Sequence, residues 1–63
     1  MTYRELDTVV VTRDLPAHGL RRGDVGAVVQ IYSPSALEVE FVTATGATQA
    51  VVTLSTDTVR PVG

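Results

Sequence analysis

The residues able to do chemistry are few, and their spacing limits what they can do together. His18 is the only histidine, and the chain has no cysteine. Zinc takes three or four His, Cys or carboxylate ligands. Only Asp14 lies near His18 in sequence, so no metal site is expected and His18 is read as structural or exposed. Ser33, Ser35 or Ser55 could be imagined as a nucleophile beside His18, but no Gly-x-Ser-x-Gly elbow exists to present one. Substrate pockets run to about 300–1,000 Å³, a large volume for a 63-residue chain. The chain is therefore expected to be non-catalytic and to carry no cofactor. Glu38 and Glu40 are spaced to share one strand face and could bind a cation or exchange protons. The reading adopted is a solvated strand face whose charges discourage aggregation.

What remains is a surface for binding. Arg13, Arg21 and Arg22 make a basic spot beside a long polar segment, residues 13–22. Guanidinium groups there could take phosphate or a partner's carboxylates, although Asp14 and Asp24 stand close enough to balance them. Arg22-Gly23-Asp24 is read as part of a turn and not as an adhesion motif. Tyr32 is amphipathic and loses little freedom when immobilised. Arg21, Arg22, His18 and Tyr32 are the residues expected to dock on another protein. The competing reading is that the segment only packs over the domain through Leu15 and Leu20. Recognition of proline-rich peptides needs an aromatic-lined groove, and Tyr3, Tyr32 and Phe41 are too few to line one.

Composition sets the frame for these residues. A formal net charge of −2, with five arginines, no lysine and seven acidic residues, argues against nucleic acid as the partner, because phosphate binding needs a basic face. No apolar run approaches the length of a membrane span. The polar start Met1-Thr2-Tyr3-Arg4-Glu5 shows no signal peptide, and the absence of cysteine suits the cytoplasm, where the protein is expected. Its length suits a single domain over residues 1–63.

Twelve valines, nine threonines and one isoleucine favour extended backbone over helix. The first strand is expected at about residues 7–12 and the second at 26–32. Asp24 and Gly26 would mark a sharp reversal before the second strand, glycine tolerating positive φ. Ser33-Pro34-Ser35 is a turn. The third strand, residues 36–43, alternates Leu37, Val39 and Phe41 with Glu38 and Glu40. A hairpin turn at residues 44–47 leads to a fourth strand, 48–54. Residues 55–58 read as one 3₁₀ turn opened by a side-chain cap. Residues 59–62 make a last strand, with Pro61 suited to an edge. The expected core is Val9, Val11, Val25, Ile31, Val39, Phe41, Val52, Leu54 and Val59, with the inward member of Val28 and Val29 left open.

Gly19-Leu20-Arg21-Arg22-Gly23-Asp24-Val25-Gly26-Ala27-Val28-Val29 resembles the G-L-x-x-G-D-x-G-x-V-V signature of small SH3-like and KOW-type domains. Taken whole, the chain resembles a family of small bacterial domains of unknown function. Members read E-L-D-T-V-V as at residues 5–10, D-L-P-x-H-G-L-x-x-G-D-x-G-x-V-V as at 14–29, E-V-E-F-V as at 38–42, and R-P as at Arg60-Pro61. The resemblance implies an all-β fold: a small five-stranded SH3-like barrel with a long first loop and a 3₁₀ turn before the last strand. A weaker resemblance is to small SH3-like subunits of photosynthetic and redox complexes, which dock on a larger partner. The function expected is a non-catalytic protein-interaction module, an accessory or antitoxin-like subunit binding a dedicated bacterial partner protein. The alternative is a KOW-like nucleic-acid or ribosome-associated module.

Overall fold

A computed structural model describes residues 3–42 and 48–62. Five strands form one antiparallel sheet: β1 (Thr8–Val11), β2 (Val25–Ser33), β3 (Ala36–Val42), β4 (Thr48–Ser55) and β5 (Val59–Pro61). Their order across the sheet is β4-β3-β2-β1-β5. The chain is therefore all-β, as its valine and threonine content predicts. The expected closure into a barrel is not made, because β4 and β5 remain the two edges of the sheet. A 3₁₀ turn, Thr56–Thr58, joins these two edge strands directly, so the sheet must curl for its edges to approach at that end.

That curl lets one sheet enclose a core. Val9 and Val11 from β1, Val28 from β2, Leu37, Val39 and Phe41 from β3, Leu54 from β4 and Val59 from β5 form one buried cluster with Leu20. Tyr3, Leu15 and Val52 pack against it while only partly buried. The Tyr3 hydroxyl donates to the Val59 carbonyl at 3.2 Å, tying the start of the chain to the last strand. The alternation in β3 holds: Leu37, Val39 and Phe41 are buried, and Glu38 and Glu40 are not.

β2 departs from its expected pattern. Val28 is the inward residue of the Val28-Val29 pair, opposite Val39. The register then shifts between Val28 and Gln30, a bulge that moves the side-chain period by one residue. Val25 and Ile31 were both expected in the core. The bulge separates them. Val25 falls on the outer face and is 51% exposed, while Ile31 lies opposite Leu37 near the strand end and is 38% exposed.

The reversal before β2 also works differently from expectation. The positive φ belongs to Gly23, at 95°, and not to Gly26. The Arg21 N–H donates to Asp24 Oδ2 at 2.9 Å, and the Asp24 N–H to the Arg21 carbonyl at 3.0 Å. This makes a tight turn with glycine where an L side chain is strained. Gly26 lies within β2, opposite Phe41, and a Cβ there would come within 2.8 Å of the Glu40 carbonyl oxygen and 2.9 Å of the Phe41 ring. Glycine is required at Gly26 because β3 occupies the space of its side chain.

The segment between β1 and β2 is knitted internally. Pro16–His18 forms a 3₁₀ turn closed by Gly19 at φ 69°, and Leu15 and Leu20 face each other across an isolated bridge. Leu20 is buried in the core cluster, so packing supplies one reason for the length of the loop. The 3₁₀ turn at Thr56–Thr58 lacks the expected side-chain cap at Ser55. Instead the buried Thr58 hydroxyl donates back to the Ser55 carbonyl at 2.7 Å, and the Thr56 N–H reaches the Ser35 carbonyl at 3.0 Å. The expected hairpin turn at residues 44–47 lies outside the described residues.

Candidate functional site

His18, Arg21, Arg22 and Tyr32 are all exposed, but the structure does not bring all four together. His18 ends the first 3₁₀ turn, and Arg21 and Arg22 lead into β2, with the Arg22 N–H donating to Asp14 Oδ1 at 3.0 Å. Arg13 leaves the basic spot to meet Asp57 at 3.5 Å, an exposed pair of a kind worth about 0–1 kcal/mol. Tyr32 stands at the far end of β2. Along the strand the seven steps from Val25 to Tyr32 correspond to a path of about 23 Å at the usual rise. The four residues thus stand at the two ends of β2.

Between those ends lies a surface that sequence reasoning missed. Across the outer face, Thr8 of β1, Ala27 of β2, Glu40 of β3 and Val51 of β4 form one row of partners. Beside them are Val25, which pairs with Val10, and Val42. Val25, Val42 and Val51 are each about half exposed. A groove of about 220 Å³ is lined by Thr8, Val25, Gly26, Ala27, Glu40 and Val42. That is below the usual size of a small-molecule pocket and suits contact with another surface. The signal was present: Val42 follows Glu38 and Glu40 in phase, at a position that alternation makes outward. Exposed apolar residues gathered in one place mark interaction sites more often than single ones do.

At the Tyr32 end, the hydroxyl is held by the Glu38 carboxylate. This hydrogen bond, then desolvation and the negative charge of Glu38, push its ionisation above the ordinary 10.0, with Thr53 opposing. The hydrogen bond favours the protonated phenol. Because the folded-state value is raised, the associated stabilisation is present below about pH 10, the unfolded value, and is lost as pH rises through the folded-state value. Spectrophotometric titration of a Tyr3→Phe variant, which leaves one tyrosine, will show Tyr32 ionising above the ordinary value. Adding Glu38→Gln will bring it back towards 10. An unchanged titration in the double variant would remove Glu38 as the cause.

Among the described residues, no group of three or more His, Cys, Asp or Glu side chains gathers where it could hold a metal ion. Among the described residues, too, no helix is long and apolar enough to cross a membrane. A family described as a domain of unknown function (DUF4926) matches residues 5–61. No curated protein and no solved structure matches the chain.

Proposed function

The chain belongs to the DUF4926 family, and from that premise we propose that it is a small non-catalytic module that docks on a dedicated partner protein. The observation that carries this reading is the apolar centre of the outer face, Val25, Val42 and Val51, left half exposed by a domain with few large side chains to bury. Interfaces commonly combine such an apolar centre with a polar rim. His18, Arg21 and Arg22 supply rim groups at one end of β2, and Tyr32 supplies one at the other. Glu38 and Glu40 share this face, and the net charge is −2. The complementary partner surface is therefore apolar with basic residues. The same charge balance disfavours nucleic acid, since Arg21 and Arg22 stand among Asp14 and Asp24, and Arg13 is drawn to Asp57. We read the fold as SH3-like: the strand order and the 3₁₀ turn between the last two strands support that reading.

The test is co-purification from the native host using the wild type and Val25→Arg, with both checked for folding by circular dichroism. Val25 is half exposed, so the variant will fold. The wild type is expected to retain one stoichiometric protein and Val25→Arg to lose it. Retention at full affinity would remove this face from the interface, and recovery of no partner by either protein would end the reading.

A further inference from the structure

We propose that the domain self-associates, two copies pairing their β4 strands antiparallel, edge to edge, about a two-fold axis at Val51. The sheet has two edges, and they differ in how they are protected. β5 is three residues long and contains Pro61, which has no N–H to offer, and the charged Arg60. Short length, proline and charge are the features that stop a strand edge from recruiting another strand. β4 has none of them. It runs for eight residues, Thr-Gln-Ala-Val-Val-Thr-Leu-Ser, with no proline, glycine or charge. On its far side no strand pairs with it among the described residues.

A second copy fits this edge because β4 is compatible with its own reversal. In antiparallel pairing, partners across the seam share a face, so the axis must fall on a residue and not between two. An axis at Val51 sets the half-exposed Val51 against itself on the outer face and Ala50 against Val52 on the inner face. No charged side chain meets a like charge across the seam. The charged neighbour, Glu40, lies one strand inward, opposite Val51. In the dimer the two Glu40 positions stand three strand spacings apart, about 14 Å, which exceeds the Debye length of about 8 Å at physiological salt. The pairing also makes the two outer faces continuous. This inference does not rest on the partner-protein reading, since either association can occur without the other.

Sedimentation velocity on the full chain, from micromolar to millimolar concentration, will show the mass rise to twice that of the monomer. Val51→Lys places two ammonium groups at the axis, beside Glu40 in each copy, and will weaken the dimer by at least about tenfold. Mixing Val51→Lys with Val51→Glu will restore it, because opposite charges then meet at the seam. Should Val51→Glu fold poorly beside Glu40, amide exchange of the wild type provides the second measurement. The outward amides of β4 will exchange on the order of tenfold more slowly at high than at low concentration. A wild type that stays monomeric throughout, a dimer that Val51→Lys leaves intact, or β4 amides indifferent to concentration would each overturn the proposal.

Discussion

Phe41→Ala is expected to remove about 3–5 kcal/mol of stability. Phe41 is the only phenylalanine in the chain and is 3% exposed, in the same cluster as Val9, Val28 and Leu54. A domain of this length holds only about 3–9 kcal/mol in total, so the loss takes from about a third to all of it. The ring also covers the position where Gly26 lacks a side chain, so its removal opens a void that neighbouring groups cannot readily fill. Urea denaturation followed by circular dichroism will show the midpoint moved far towards zero denaturant. A midpoint close to that of the wild type would mean that the core does not depend on Phe41.

Gly26→Ala attacks the same contact from the other side. Its new methyl group would lie 2.8 Å from the Glu40 carbonyl oxygen and 2.8 Å from Val39 Cγ1. One of those atoms belongs to the backbone of β3, so rotamer changes alone cannot relieve the clash and the β2–β3 ladder must part. Overpacking of this kind costs about 1–3 kcal/mol, and sometimes more. Gly19 provides the contrast: nothing lies within 4 Å of its missing Cβ, and only its φ of 69° requires glycine. Asparagine tolerates that region, so Gly19→Asn will be mild while Gly26→Asn will be severe. Equal denaturation midpoints for the two asparagine variants would contradict this assignment.

These two positions show what could be read from the chain and what could not. The run Leu37-Glu38-Val39-Glu40-Phe41 announces a strand with one wet face, because its period appears in local sequence. Nothing local announces that Gly26 lies beneath Phe41, since that fact belongs to the register of two strands. The bulge at Val29 was hidden for a similar reason. Val25, Val28, Val29 and Ile31 are all apolar, so either phase satisfied the pattern and only pairing with β3 distinguishes them. The same ambiguity concealed the outer face. A valine expected in the core gave no sign that it would join Val42 and Val51 outside. The charged and aromatic residues expected at the surface are there, because their exposure follows from their chemistry, but their separation along β2 follows from strand length.

The position of β1 has a consequence for synthesis of the protein. β1 is made first, yet it lies between β2 and β5 in the sheet, and Tyr3 contacts Val59 across 56 residues of chain. On the ribosome, the β2–β3–β4 meander can pair as it emerges, while one side of β1 stays open until β5 has left the exit tunnel. Val59, a core residue, arrives with β5. Folding dominated by such distant pairings is slow, and here translation itself imposes the wait. The core of the emerging domain therefore stays incomplete until β5 is out, and that strand completes both the sheet and the core.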